Sequence, residues 1–242
     1  LMLSLYLYIS MSFWTIVYLV VCALPATVCL LLPVSKSRTA FRHLILWYGT
    51  LIVRIAVWPW IRVTYDSTAP SDESDEGIYV FNHRSASDPF LIALLGLPML
   101  QLVNGWPMRL PLFGFFARRC GYINTTKNNY EESRAKIAAA LAAQVPIASF
   151  PEGTRSGSRN LNQFRSGIFK IAMELRAPIH PCCIVGNEYI PDRRFRFQTG
   201  RIRVRRMPVI TAEEAAAFDN AYLLKQHVKT LIQAEITKLE EP

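Results

Sequence analysis

The chain has 242 residues, enough for one medium domain with a sizeable core, or for one domain and an appendage. Hydrophobic residues make up 51% of it and charged residues 19%, which excludes a disordered chain. The 27 Lys and Arg outnumber the 18 Asp and Glu to leave a net charge of +9, which favours anionic partners, and the positive mean hydropathy of +0.18 points among these to a membrane surface.

No charged residue precedes Lys36. Leu1 to Ser35 is an uncharged aliphatic and aromatic run, and about 20 such residues suffice to cross a bilayer. Pro25 and Pro33 interrupt its back half, so the uninterrupted part is Leu1 to Leu24. A secretory signal is the competing reading, but the run has neither a basic start nor a small-x-small cleavage site. Lys36, Arg38, Arg42 and His43 form a short basic connector. Leu44 to Ile61 is a second apolar stretch, broken by Arg54 and Pro59 and rich in Trp (Trp47, Trp58, Trp60), which suits a membrane interface better than a span. Basic residues tend to stay cytoplasmic. Two topologies therefore remain: one span with the body inside, or a helical pair embedded in the cytoplasmic leaflet.

Residues 62–242 read as the catalytic body, and 1–61 as its membrane-associated segment. Asp66 to Glu76 is acidic and reads as a solvated loop between the two. After Gly77 short apolar runs alternate with helical stretches. Ile78 to Phe81, Leu100 to Val103, Cys120 to Ile123, Val145 to Phe150 and Pro178 to Val185 read as strands. Asp88 to Leu95, Asn129 to Gln144, Ser166 to Arg176 and Ala212 to Leu239 read as helices, the first with Asp88 as its cap and Pro89 as its first residue. Arg201 to Ile210 alternates, with Ile202 and Val204 opposite Arg201, Arg203 and Arg205. The order predicts an α/β fold: a layered sheet of mainly parallel strands flanked by helices, with an N-terminal membrane-embedded helical segment. Five scattered cysteines without a Cys-x-x-Cys read as small buried residues in a reducing compartment, and no metal site is expected.

In such sheets chemistry gathers at the carboxyl ends of strands. Two loops stand there. In the first, His83 follows a strand and Asp88 lies five residues on; a carboxylate on one imidazole nitrogen fixes the tautomer and leaves the other nitrogen to take a proton from a hydroxyl. Asp88 is also explained by a capping role, so the pair alone is a weak signal. Ser85 and Ser87 are too close in sequence to serve as nucleophiles, and no Gly-x-Ser-x-Gly elbow exists, which argues against a serine hydrolase. The second loop is Pro151-Glu152-Gly153-Thr154-Arg155-Ser156, where Gly153 permits close backbone approach and Arg155 offers a fork suited to phosphate. Taken alone it is equally an ordinary polar turn.

Together the two strings resemble the glycerolipid acyltransferase family, of the 1-acylglycerol-3-phosphate acyltransferase type. That family carries Asn-His-x4-Asp and then Phe-Pro-Glu-Gly-Thr-Arg-Ser in this order; here Phe81 and Phe150 stand 69 residues apart. Pro111-Leu-Phe-Gly114 with Gly121-Tyr-Ile123, and Pro178-Ile-His-Pro181, resemble its second and fourth blocks. The resemblance implies acyl transfer from acyl-CoA or acyl carrier protein, as donor substrates with no resident cofactor, to a lysolipid hydroxyl, giving phosphatidic acid. It implies His83 as general base, Asp88 as its orienting group, and Arg155 as phosphate ligand in a loop shaped by Glu152 and Gly153. It also implies membrane lipids as partners and a location on the cytoplasmic face of an inner or plasma membrane.

The chain departs from the pattern at Asn104, where many members carry Lys, and at Asn124 to Lys127, where Phe-x-Asp-Arg is common. Lys127 keeps a charge; Arg109 or Arg118 are candidates for the missing one. The departure leaves open an acceptor without this phosphate, such as a lyso-ornithine lipid. A non-catalytic, membrane-tethered binder of lipid or nucleic acid would explain the +9 charge but neither loop, and no recognition helix, zinc or stacking pattern supports nucleic acid as a partner.

Overall fold

The computed structural model describes residues 1–241. Helix α1 spans Met2–Leu31 and α2 spans Val34–Leu51, followed by a π turn over Ile52–Ala56. The body then runs β1 (Ile61–Ser67), β2 (Ile78–Phe81), α3 (Asp88–Leu91) with a 3-10 turn over Ile92–Leu95, and β3 (Leu100–Val103). A 3-10 turn over Pro107–Arg109 leads into α4 (Pro111–Cys120), β4 (Ile123–Asn124), α5 (Tyr130–Ala142), β5 (Ile147–Ser149) and α6 (Gly167–Leu175). The chain closes with β6 (Ile179–Val185), β7 (Gly200–Arg206), α7 (Ala212–Ala216) and α8 (Ala221–Glu240).

The seven strands form one sheet in the order β1-β7-β6-β2-β5-β3-β4. Every neighbouring pair is parallel except β6 and β7. One face carries Ile78, Val80, Ile147 and Ile179, covered by α5, α6 and α8 through Ile137, Phe169, Val228 and Ile232. The other carries Tyr79, Phe81, Cys182, Ile184, Ile202 and Val204, covered by Leu7 of α1, by Ile52, Val53 and Ala56, and by Leu91. The central strands are therefore apolar on both faces, as in a sheet sandwiched between helical layers. The four Cys in these layers and at the α1–α4 contact are buried and all five are free; burial pushes the Cys120 and Cys183 thiols up to about 12, so they act as small core residues.

Several expectations need correction. Helix α1 continues through Pro25 to Leu31, where the sequence predicts a break at Leu24. The basic connector is itself helical, because Phe41 and Leu44 give α2 an apolar stripe that packs on Ala117 and Cys120 of α4. In the back of the expected interfacial stretch Ile52, Val53 and Ala56 are buried on the sheet, whereas Ile55, Trp47, Trp58 and Trp60 are exposed. Ile61 opens strand β1, which runs through Asp66; pairing with β7, distant in sequence, makes this strand. Cys120 ends α4, and left-handed Gly121 stops that helix, so the strand expected from Cys120 begins at Ile123. The closing helical region is two helices, divided before Asn220, whose side chain accepts from Tyr222 N and Leu223 N.

The acidic segment before β2 is exposed at Asp66, Asp72, Asp75 and Glu76, as expected of a solvated loop, but it is anchored to the body through Glu73. Glu73 is half-buried and accepts from Arg206 Nη2 (2.8 Å) and Val209 N (2.9 Å), and His180 Nδ1 lies 3.2 Å away. Asp75 pairs with Arg206 as well. His180 stacks on Tyr79, and burial lowers its pKa from the ordinary 6.5. This cluster closes the amino-terminal ends of β2 and β6. The expected basic face of β7 is likewise partly neutralised: Arg205 pairs with Asp66 and Glu235.

Among the described residues one helix, α1, is long and apolar enough to cross a membrane, with a mean hydropathy of 2.2 over its best window and none of that window buried.

Candidate active site

Because β2 and β5 are parallel neighbours, the loops that leave their carboxyl ends emerge side by side. Backbone bonds stitch them together: Ser156 N donates to His83 O (2.7 Å) and Gly157 N to Arg84 O (3.0 Å). The sheet thus brings the two sequence strings into one site.

His83 Nδ1 lies 2.6 Å from Asp88 Oδ2. Asp88 is fully buried, while the His83 side chain remains 20% exposed and packs on the Phe150 ring. The carboxylate is held by more than the imidazole. Its Oδ2 also accepts from Arg84 N (2.8 Å) and Ser85 N (3.0 Å), and its Oδ1 from Asn187 Nδ2. Such a donor set fixes the orientation of the carboxylate. Asp88 is therefore the first residue of α3, not its cap; the N-cap is Ser87, with no side-chain bond to the helix. The carboxylate points back along its own loop because the donors lie there. With Nδ1 engaged, Nε2 is the free basic atom, and it has no hydrogen-bond partner among the described residues. The hydroxyls of Ser85 and Ser87 donate to Pro191 O (2.8 Å) and Ile190 O (2.7 Å), so neither is free to be a nucleophile.

Glu152 is buried and joins the loops. Oε1 accepts from His83 N (2.6 Å) and Oε2 from Asn162 N (2.8 Å). Burial pushes its carboxyl up from the ordinary value, against those two donors, which pull it down. Gly153 has φ +73°, and a Cβ there would stand 2.7 Å from the Arg165 Cζ. Glycine thus serves both the left-handed turn and the close passage of that guanidinium. Arg155 is half-buried and lies over the Phe195 ring, 4.7 Å from its centroid. Arg109 and Lys127 are exposed on the segments that follow β3 and β4, on the same side of the sheet but one and two strands beyond β5. At about 4.8 Å per strand, β3 and β4 lie roughly 10 and 14 Å from β2, and neither Arg109 nor Lys127 bonds to the His83 or Glu152 loops among the described residues. Asn104 is committed to its own turn, accepting from Gly105 N (2.6 Å) and Thr126 Oγ1 (2.8 Å).

Sequence reasoning missed the groups that hold the dyad. The Asn82 side chain exchanges two bonds with the Ile184 backbone of β6 (2.9 and 2.7 Å). Arg84 is wholly buried and bonds Glu188, Glu240 at the end of α8, and Arg159 O (2.7 Å). Asn187, which donates to Asp88, belongs to the same set. Asn82 had a signal, its place beside His83; Glu188 and Glu240, which bond Arg84, and Asn187, which bonds Asp88, lie about a hundred residues away or more, where no local pattern points. Among the described residues no group of three or more His, Cys, Asp or Glu is placed to hold a metal ion.

Residues 61–185, more than half of the chain, match the model of the Acyltransferase family. The 1-acyl-sn-glycerol-3-phosphate acyltransferase of Salmonella typhimurium is 27% identical over 241 residues, which cover 97% of this chain and 95% of that protein. The Escherichia coli protein of the same name is 25% identical over 243 residues, with the same coverage. The crystal structure of the 1-acyl-sn-glycerophosphate acyltransferase PlsC from Thermotoga maritima superposes with a TM-score of 0.79 at 21% identity, over 100% of this chain and 96% of that one, and shares its fold.

Proposed function

The chain belongs to the acyltransferase family, and from that membership we propose that it moves a fatty acyl chain from acyl-CoA or acyl carrier protein to the free hydroxyl of 1-acylglycerol-3-phosphate, giving phosphatidic acid. The observation that carries this reading is the His83–Asp88 pair, with Nε2 free beside a loop that contains Arg155 and with the hydroxyls of Ser85 and Ser87 both committed to backbone carbonyls. A base without a protein nucleophile suits a reaction in which the substrate supplies the nucleophile. The names of the bacterial relatives support the acceptor.

In this reading His83 Nε2 takes the proton as the acceptor oxygen attacks the thioester carbonyl. Asp88 holds the ring and stabilises the imidazolium. Collapse of the tetrahedral adduct breaks the C–S bond and expels the thiolate, which takes from His83 the proton that came from the acceptor hydroxyl. Glu152 positions His83 by gripping its backbone N–H. Arg155 meets the acceptor's phosphate, its guanidinium set flat by Phe195. Helix α1 and the exposed Trp residues of the N-terminal segment hold the body on the cytoplasmic face of the membrane, where the acceptor resides.

The test is acyl transfer from a labelled thioester to lysophosphatidate by membranes containing the protein or its His83→Ala variant at equal abundance. We expect loss of nearly all product; near-normal turnover by the variant refutes the reading. One observation favours a second acceptor. Asn104 stands where many members carry Lys and its side chain is spent on a turn, so a lysolipid lacking this phosphate, such as a lyso-ornithine lipid, is the alternative. Arg155→Ala compared on both acceptors separates them: a KM increase confined to lysophosphatidate supports the phosphate role, and equal losses overturn it.

A further inference from the structure

The acidic residues are segregated along the chain. None precedes Asp66, and none lies between Asp88 and Glu131. These two stretches make up nearly half of the chain and hold nine Lys and Arg. Although far apart in sequence, they fold together. Phe41 of α2 packs edge-on against Phe115 of α4 (6.4 Å) and against Phe116 (6.1 Å). Arg42 Nη1 donates to Cys120 O (3.2 Å), the Arg38 side chain crosses Gly121, and Cys29 of α1 joins the same cluster. Neither stretch brings a carboxylate to that junction.

The second stretch has its own exposed apolar residues. Trp106, Leu110, Leu112 and Phe115 are 61%, 46%, 49% and 38% exposed, a series that begins at the 3-10 turn and runs along α4. Phe113 and Ala117 face the protein instead, so the segment is amphipathic. The cations are arranged around the apolar side. Arg119 lies over the Phe115 ring at 5.5 Å, Arg118 braces the turn through Met108 O (3.0 Å), and Arg109 projects from the turn itself. Among the described residues none of the three pairs with a carboxylate. In contrast, the cations on the far side of the sheet, Arg205 and Arg206, are neutralised by acids.

We propose that Trp106–Arg119 is a second membrane-contacting element, whose Trp106, Leu110, Leu112 and Phe115 enter the same leaflet as α1 while Arg109 and Arg119 meet anionic headgroups. This rests on the reading that α1 and α2 are membrane-embedded. Charge complementarity and continuity with α1 and α2 select a bilayer as the occupant: an anionic leaflet suits carboxylate-free cations, and Trp and Arg suit its interface. The element follows β3, next to β5, so it stands on the side of the sheet where the His83 and Glu152 loops emerge.

The test places an environment-sensitive fluorophore on single cysteines in a Cys22→Ser background, in full-length protein reconstituted into phosphatidylcholine bilayers with and without 30% phosphatidylglycerol. The labelled positions are Leu112, Ile16 on α1 and Lys136 on α5. The proposal expects Leu112→Cys to show a blue-shifted emission and quenching by shallow spin-labelled lipid, more strongly with phosphatidylglycerol, as Lys136→Cys stays water-like. Lipid contact at Ile16→Cys with a water-like Leu112→Cys overturns the proposal and leaves the embedded reading intact. Water-like signals at both positions overturn both. A kinetic arm uses Trp106→Ser with Leu112→Ser: the apparent KM for acceptor presented in bilayers should rise at least fivefold, with turnover of a short-chain acceptor below its micelle threshold unchanged. Equal losses on both presentations would assign these residues to the fold and overturn the proposal.

Discussion

Replacing Asp88 by Asn isolates the charge of the dyad from its geometry. Asp88 Oδ2 accepts three N–H donors, from His83, Arg84 and Ser85, and Oδ1 accepts from Asn187. In Asp88→Asn the amide oxygen takes the Oδ2 position and keeps all three donors. The new NH2 then faces Asn187, whose Oδ1 is buried without a partner, so a flip of the Asn187 amide supplies the acceptor. Each of the three bonds falls from charge-assisted to neutral strength, a loss of about 1 kcal/mol apiece, offset by no longer burying a charge. A net destabilisation of about 1–2 kcal/mol lowers the melting temperature by about 2–8 °C in a chain of this size. Turnover suffers more, because the imidazolium formed in the transition state loses its counter-charge at 2.6 Å. A loss of about 3–4 kcal/mol there lowers kcat by roughly 10²–10³. The assay is initial-rate transfer to lysophosphatidate under donor saturation, with thermal unfolding measured on the same preparation. We expect kcat to fall and the acceptor KM to hold. A folded Asp88→Asn enzyme with kcat within about threefold of wild type refutes the reasoning.

Two further outcomes follow from buried acids and bases. Glu152→Gln leaves one of His83 N and Asn162 N facing an NH2 group whichever way the amide turns, so it should cost about 1–3 kcal/mol in unfolding free energy and lower kcat with little change in donor KM. Because the folded pKa of Glu152 is raised, its contribution to stability is present below the ordinary 4.5 and declines as pH rises through the folded value; denaturant titrations across that window should show the slope in wild type and not in Glu152→Gln. His180 has the opposite sign. Its folded pKa is depressed, so the stability it confers is present above 6.5 and is lost as pH falls towards the folded value. His180→Gln should be less stable at pH 7.5 yet flatter between pH 7 and 5, where the wild type loses up to about 1.4 kcal/mol per pH unit; parallel curves for the two proteins would disprove the role.

Much of the body was legible because its signals are local. The apolar strings Ile78–Phe81 and Ile179–Val185, the Asn129 capping box and the helical period of Gly167–Leu175 each sit within one element. The order of the elements then implied a mainly parallel sheet, and the strings at His83 and Glu152 stood where strands end. The sequence could not reveal pairings between distant residues. Ile61–Ser67 becomes a strand only because β7 lies beside it, and the acids at Asp66 and Glu73 are structural only because Arg205 and Arg206 arrive from 130 residues away or more. Asp88 passed for a helix cap because a cap and a loop-closing carboxylate look alike in one dimension; donors from four positions, two on the backbone and two on side chains, decide between them. A hydrogen bond depends on where two groups meet in space, so the sequence on its own determined which elements form and which residue types carry chemistry, while the tertiary fold decided which of them touch.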